Sequence, residues 1–273
     1  MPKKKERKEE KGKKKGSHWF WRTLWFIVKI PYFIVKGIIW LVKKMRKEHH
    51  EEVVEEVRER RGARYEGFSV LETESGNLYG WEKKLLTKNE IGIILGSRGS
   101  GKTAFGIKLM ENIYTKTKKK CFAMGFKSED LPSWIISVEN INEIHNDAIV
   151  LVDEGGIFFS SRDSMSIANK LLSDLIFISR HKNLTILFIS QNSSNLDVNI
   201  IRQADFLVLK PSSLLQKDFE RKIIRNLYVS LEPLFKKYGS RKGLTYLYSD
   251  DFRGFVTNSL PSFWSQSLSK SFR

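Results

Sequence analysis

Residues 96–103 read Gly-Ser-Arg-Gly-Ser-Gly-Lys-Thr, which is the complete pattern G-x-x-x-x-G-K-[ST]. An apolar run, residues 91–95, precedes them, and a helix-forming stretch, residues 104–114, follows. Glycines permit the positive φ angles with which a loop turns its backbone N–H groups toward phosphate oxygens, and a helix N-terminus adds partial positive charge. The stretch therefore predicts a strand, a phosphate-binding loop and a helix, in preference to a glycine-rich turn without a ligand.

The loop residues have separate roles in this prediction. Lys102 would reach the β- and γ-phosphates of ATP, and Thr103 would bind Mg²⁺. The backbone N–H groups of the loop would hold the remaining phosphate oxygens. We expect the nucleotide to contact Gly96, Ser97, Arg98, Gly99, Ser100, Gly101, Lys102 and Thr103.

A second apolar run, residues 148–152, ends in the carboxylate pair Asp153-Glu154. A run of this kind is typical of a buried parallel strand, and ligands bind beyond the carboxyl ends of such strands. Asp153 fits the acid that orients Mg²⁺, and Glu154 fits the base that polarises the attacking water. The alternative is a solvated turn, which the phosphate loop upstream makes less favourable.

A third apolar run, residues 184–189, leads into Ser190-Gln191-Asn192. An amide at the end of a strand beside the phosphate loop can hydrogen-bond the γ-phosphate or the attacking water, and so couple nucleotide state to movement. Gln191 is therefore a candidate sensor of the nucleotide. The alternative is a polar residue that only ends the strand.

Residues 179–191 read Ser-Arg-His-Lys-Asn-Leu-Thr-Ile-Leu-Phe-Ile-Ser-Gln, and Leu196-Asp197-Val198 and Ile201-Arg202 follow. Together with the acid pair, this block resembles the FtsK/HerA superfamily of DNA-pumping ATPases, in particular the zonular-occludens-toxin-like and viral genome-packaging ATPases. The resemblance spans residues 88–210. Its phosphate loop (Walker A) and the acid pair after the second apolar run (Walker B) occur in many NTPases. The spacing from Arg-His to Gln is more specific. The chain departs from the family at Gly155-Gly156, which follow Glu154 where a small residue and a polar one are usual.

The resemblance implies a homo-oligomeric ring, usually a hexamer, with ATP between neighbouring subunits and an arginine supplied in trans. Arg180 and Arg202 are the candidates for that arginine, although either could instead pair with an acid of its own subunit. The resemblance also implies double-stranded DNA as a partner. His181 has no second His or Cys nearby at metal-binding spacing, so no metal beyond Mg²⁺ is expected.

The charge of the chain is uneven. The net charge is +17 over 273 residues, and residues 1–46 hold 15 Lys/Arg and three Glu. The first 17 residues are Lys/Glu-rich with little to bury, which predicts a disordered basic tail that is attracted to anionic lipids or to DNA. The single cysteine, Cys121, excludes an internal disulfide and, with the ATP requirement, favours a cytoplasmic ATPase domain.

Residues 18–46 form a second informative segment, in which Trp19, Trp21, Trp25 and Trp40 accompany bases at seven-residue intervals, at positions 22, 29, 36 and 43. On a helix these bases share one narrow stripe, and apolar side chains cover the rest. We expect an amphipathic helix lying on an anionic membrane surface, either the host cytoplasmic membrane or a virion membrane, with a kink at Pro31. The alternatives are a spanning helix with snorkelling bases, and a helix that packs on the ATPase domain or on a membrane protein.

The expected fold is α/β: a mostly parallel sheet of P-loop NTPase type, RecA/ASCE-like, with helices on both faces, after an amphipathic or membrane-associated N-terminal helix. The predicted divisions are a tail (1–17), the amphipathic segment (18–46), a charged helical connector (47–64) and the ATPase domain (65–273). A hairpin around Gly76-Asn77 and one helix over residues 214–237 are also predicted.

The sequence is compatible with two functions. The first is a membrane-associated, ATP-hydrolysing motor of FtsK/HerA type that packages or extrudes viral or mobile-element DNA. The second is a membrane-bound nucleotide-dependent switch or assembly scaffold that does not translocate DNA. A small-molecule kinase is disfavoured because no lid segment is evident and because the N-terminal helix is amphipathic.

Overall fold

The computed structural model describes residues 14–59, 61–153 and 164–265. The chain divides into two compact units, Met1–Glu55 and Glu56–Arg273. Glu154, the predicted base, lies outside the described residues, as does the segment that follows it up to residue 163.

Helix α1, Lys14–Glu59, contains the described residues of the first unit and begins inside the predicted tail. The large apolar side chains of its middle part are all exposed: Tyr32, Phe33, Ile34, Val35, Ile38, Ile39, Trp40, Leu41, Val42 and Met45. The Lys36 ammonium lies 6.0 Å from the Tyr32 ring centroid, and that of Lys44 lies 5.7 Å from the Trp40 ring centroid. Along the described ranges, no helix is long and apolar enough to cross a membrane.

The second unit is built on a nine-stranded sheet. The strands are β1 (Ser69–Gly76), β2 (Ile91–Leu95), β3 (Lys120–Met124), β4 (Ile135–Ser137), β5 (Ala148–Asp153), β6 (Thr185–Ser190), β7 (Phe206–Leu209), β8 (Thr245–Ser249) and β9 (Phe252–Thr257). Their order in the sheet is β1-β9-β8-β7-β2-β6-β5-β3-β4. The six neighbouring strands β7, β2, β6, β5, β3 and β4 are mutually parallel. Strands β8, β9 and β1 extend the sheet beyond β7 with antiparallel pairing. The prediction of a mostly parallel sheet is confirmed.

Helices cover both faces of this sheet. They are α2 (Leu78–Thr87), α3 (Lys102–Thr117), α4 (Ser164–Lys182), α5 (Val198–Arg202), α6 (Leu214–Phe219) and α7 (Lys222–Lys237). Because side chains alternate along a strand, Ile94 of β2 joins a core with α2 and α3, whereas Ile93 joins a second core with α4 and α7. The two cores fix the helices against the strand ends that carry the predicted site residues.

The predicted hairpin around Gly76-Asn77 is wrong. Strand β1 pairs with β9, and the residues after it form α2. The Asn77 side chain accepts a hydrogen bond from the Tyr79 N–H at 2.8 Å, which caps the helix. Trp81 and Leu85, four residues apart, then place one buried face against the sheet.

The single helix predicted over residues 214–237 is instead two helices, α6 and α7, which are separated at Glu220-Arg221. The Glu220 carboxylate accepts a hydrogen bond from the Ser193 N–H at 2.7 Å, and the Arg221 Nε donates to the Ser193 carbonyl at 3.0 Å. These contacts with the loop after β6 come from residues distant in the chain, so the helical pattern alone could not show the break.

Candidate active site

The loop of residues 96–101 joins β2 to α3 and has the backbone conformation that its glycines allow. The φ angles of Gly96, Gly99 and Gly101 are 150°, 78° and 89°. Side chains larger than hydrogen disfavour these values. The loop is held from behind, because the Ser97 N–H donates to the Pro211 carbonyl at 3.1 Å.

Lys102 folds back over this loop. Its ammonium donates to the carbonyl oxygens of Gly96 at 2.8 Å and Ser97 at 3.0 Å, and its exposed fraction is 8%. The Ser100 hydroxyl is buried and has no hydrogen-bond partner within the described part of the chain. A buried donor of this kind and a nearby ammonium are groups that phosphate oxygens would satisfy.

The two predicted Mg²⁺ ligands lie side by side. Thr103, in the first turn of α3, donates its hydroxyl to the Asp153 carboxylate at 3.3 Å. Asp153 ends β5 and is 7% exposed. A hydroxyl and a carboxylate oxygen are hard ligands of the kind that Mg²⁺ prefers, so this pair fits the ion.

Strand β6 lies between β2, which leads into the phosphate loop, and β5, which ends in Asp153. Leu95 is opposite Ser190 in the β2–β6 pairing, and Asp153 is opposite Ile189 in the β6–β5 pairing. The phosphate loop, the carboxylate and the polar end of β6 therefore share the carboxyl edge of the sheet. This arrangement is consistent with a P-loop NTPase core.

Gln191 follows β6 at this edge of the P-loop domain and is exposed. Its backbone carbonyl accepts a hydrogen bond from the Gln216 side chain on α6, and Gln216 also donates to Glu220 at 3.1 Å. The sequence prediction missed these two residues, because a Gln and a Glu four positions apart resemble an exposed helix face. Their contacts connect the end of β6 to the α6–α7 junction.

The two candidate arginines lie at the opposite, amino edge of the parallel strands. Arg180 is near the end of α4, where the Lys182 carbonyl accepts a hydrogen bond from the Asp147 N–H, just before β5. Arg202 ends α5, three residues before Asp205, whose carboxylate accepts from the N–H of Ile91 at the start of β2. Both arginines are exposed, and neither forms a salt bridge with another described residue.

Arg98 is exposed at the tip of the loop, beside Gly99. Over the described ranges, no group of three His, Cys, Asp or Glu side chains is arranged to hold a metal ion.

One further residue near the phosphate loop was not predicted from the sequence. Lys210 follows β7 and lies directly behind the phosphate loop, 1% exposed. Burial lowers the pKa of its ammonium to about 7. A lysine that ends an apolar strand before a proline is expected at the surface, so only the assembled sheet shows that it is buried.

No protein-family model and no curated protein sequence matches this chain. Solved structures that resemble it include B204, the DNA-packaging ATPase from Sulfolobus Turreted Icosahedral Virus, at 12% identity and a TM-score of 0.41, with 63% of this chain and 98% of that chain covered. The pCW3 conjugation coupling protein TcpA with ATPγS has 10% identity and a TM-score of 0.46, with coverages of 69% and 64%.

The N-terminal domain of zonular occludens toxin from Neisseria meningitidis also resembles the chain, at 13% identity and a TM-score of 0.35, with 68% of this chain and all of that domain covered. The resemblance to the toxin-like and genome-packaging ATPases that the sequence predicted is confirmed. At these identities and TM-scores the likeness carries no argument about the function of this chain.

Proposed function

We propose that this chain is a membrane-associated ATPase of FtsK/HerA type that uses ATP hydrolysis to translocate double-stranded DNA, as in packaging or extrusion of a viral or mobile-element genome. The observation that carries the proposal is the contact of the Thr103 hydroxyl with the Asp153 carboxylate at 3.3 Å, beside the phosphate loop. The position of β6 between β2 and β5 supports the RecA/ASCE-like arrangement, in which the phosphate loop and the Walker B acid are on separate strands.

In this proposal each side chain has one task. The Lys102 ammonium leaves the loop carbonyls and binds the β- and γ-phosphates, while the loop N–H groups hold their oxygens. Thr103 and Asp153 would hold Mg²⁺, which when bound neutralises charge on the phosphate oxygens. Glu154 accepts a proton from the attacking water, an assignment that rests on the sequence.

Gln191 would report the state of the nucleotide. Its side chain follows β6 at the phosphate edge, and its backbone carbonyl is bound to Gln216 of α6. A shift of Gln191 toward the γ-phosphate would therefore be transmitted to α6 and to the α6–α7 junction. Such transmission is what a motor needs in order to convert hydrolysis into movement of a bound substrate.

We further propose a ring, of hexameric type, in which the arginine comes from the neighbouring subunit. Arg180 and Arg202 lie at the amino edge of the sheet, whereas the phosphate loop lies at the carboxyl edge of the same chain. An arginine at that edge can act on ATP only from another subunit.

If Arg180 acts in trans, mixing Arg180→Ala with Lys102→Ala subunits is expected to restore part of the ATPase activity that each variant lacks alone. The reason is that a Lys102→Ala subunit lends its intact arginine to a neighbour with an intact loop. The measurement is ATP turnover across mixing ratios, in assemblies shown to exchange subunits. Failure to recover activity at any ratio would exclude Arg180 and leave Arg202 as the candidate.

Membrane association is proposed for residues 18–46. The exposed apolar side chains of α1, including Trp40, and the basic stripe that contains Lys36 support it. Flotation with anionic vesicles tests this proposal. Binding that persists at high salt supports apolar insertion, whereas complete release by salt would restrict the contact to charge and make DNA the better partner for the basic tail.

The expected effect of double-stranded DNA is a rise in ATP turnover of about tenfold or more, because substrate binding should align neighbouring subunits around the nucleotide. The measurement is steady-state hydrolysis by the full chain with and without DNA, with Lys102→Ala as the control for contaminating ATPases. Unchanged turnover would favour the second candidate, a nucleotide-dependent switch or scaffold. One observation supports that candidate: Leu214, Leu215 and Phe219 on α6 are exposed and could bind another protein.

A further inference from the structure

Lys210 lies against the rear of the phosphate loop. Its backbone N–H continues the β2–β7 ladder by donating to the Leu95 carbonyl at 2.8 Å. A Cβ added at Gly96 would lie 2.6 Å from the Lys210 Cβ, and one added at Gly101 would lie 4.0 Å from the Lys210 Nζ. The same ammonium lies 5.3 Å from the ring centroid of Phe105 in the first turn of α3. The side chain therefore runs beneath the loop from its first glycine to its last.

The Lys210 ammonium is surrounded by neutral acceptors. It donates to the Thr245 hydroxyl at 2.6 Å and the Asn258 side-chain oxygen at 3.1 Å, and it lies 3.2 and 3.3 Å from the carbonyls of Gly243 and Leu244. No carboxylate of the described residues forms an ion pair with it. Four acceptors for three protons favour the charged form, whereas burial opposes it, so at a pH below the pKa of Lys210 a positive charge is buried behind the loop without a counter-ion among the described residues.

We propose that Lys210 is a second cation of the nucleotide site, which acts from behind the loop by fixing its shape and by attracting the phosphates bound on its other side. The inference rests on the proposed function, because it requires that the loop binds a nucleotide. Lys210 packs against the loop and would act on the phosphates through it, so it is a positioning residue. A buried charge acts at longer range than a surface charge, because little water lies between it and the ligand.

The sign of the expected pH dependence follows from the surroundings of Lys210. The ionisable side chains on the elements packed around it include Arg98 and Lys102 on the loop and the start of α3, Lys108 and Glu111 further along α3, Tyr228 on α7 and Tyr246 on β8. Lys108 and Glu111 pair with each other at 3.0 Å. Burial lowers the pKa of Lys210 to about 7. Because the ammonium attracts phosphate, affinity is highest below this pKa and falls as the pH rises through it.

The test compares the dissociation constant of Mg-ADP for the wild type and for Lys210→Met, which keeps the length of the side chain and removes its charge. At about pH 6 we expect the variant to bind about tenfold more weakly, and near pH 9 we expect the two constants to converge, because the wild-type lysine is then neutral. The exposed lysine of α7, Lys236, provides the matched control: Lys236→Met should bind as the wild type does at every pH.

A second measurement uses the wild type alone, in case Lys210→Met does not fold. If the charge contributes a factor of ten to the affinity, binding of Mg-ADP raises the pKa of Lys210 by about one unit. The protein should then take up about half a proton on binding Mg-ADP at about pH 7.5. The measurement is calorimetry in buffers of different ionisation enthalpy.

Equal constants at all pH values, a loss that does not vary with pH, or binding without proton uptake would each overturn the role of Lys210 while leaving the proposed function intact. Absence of nucleotide binding by the wild type would instead contradict the proposed function, and this inference with it.

Discussion

Replacing Lys102 with alanine is expected to weaken ATP binding by a factor of about 10² or more, because it removes the ammonium that reaches the phosphates. The backbone N–H groups and hydroxyls of the loop are neutral donors, which do not replace a charge, and the one other cation of the loop, Arg98, is exposed at its tip. In the structure the Lys102 ammonium lies at the loop, 2.8 Å from the Gly96 carbonyl, and would exchange this acceptor for phosphate oxygens when the nucleotide binds. The measurement is the dissociation constant of ATP with Mg²⁺.

The control for this prediction is Lys83→Ala, which removes an exposed lysine of α2. It should bind ATP as the wild type does. If Lys102→Ala is folded and keeps wild-type affinity, the loop is not the nucleotide site, and the proposed function is wrong at its first step.

Replacing Glu154 with glutamine should have a different effect. The amide keeps the shape of the side chain but cannot accept a proton, so ATP should remain bound while turnover falls by a factor of about 10² or more. Asp153→Asn provides the contrast, since it alters the group paired with Thr103 and should weaken Mg²⁺-dependent binding. The two measurements are ATP affinity and single-turnover hydrolysis. Wild-type turnover in Glu154→Gln would exclude Glu154 as the base.

The sequence predicted the elements around the phosphate loop well, because each has a local signal. The glycines mark the loop, uninterrupted apolar runs mark the buried strands, and the carboxylates and amide follow those strands directly. The phosphate loop, Asp153 and Gln191 share one edge of the sheet because parallel strands place their carboxyl ends there. The apolar runs alone could not predict the order of the strands in the sheet, in which β6 lies between β2 and β5.

Buried polar residues were the part that the sequence could not show. Lys108 and Glu111 look like the exposed face of α3, yet they are 1% and 0% exposed. Glu111 accepts hydrogen bonds from the N–H groups of Arg64 at 2.9 Å and Ser262 at 3.3 Å, so α3 is tied to segments far away in the chain. Lys210 is a similar case. Their partners come from distant segments, and no local pattern predicts such contacts.

The central claim, that ATP hydrolysis moves the protein along DNA, is tested most directly by displacement of a third strand from linear double-stranded DNA. A labelled oligonucleotide is annealed in the major groove, and its release by the full chain is followed over time. We expect release with ATP and Mg²⁺, and none with Lys102→Ala or Glu154→Gln. A wild type that hydrolyses ATP in the presence of DNA but never displaces the third strand would contradict the motor and leave a nucleotide-dependent switch.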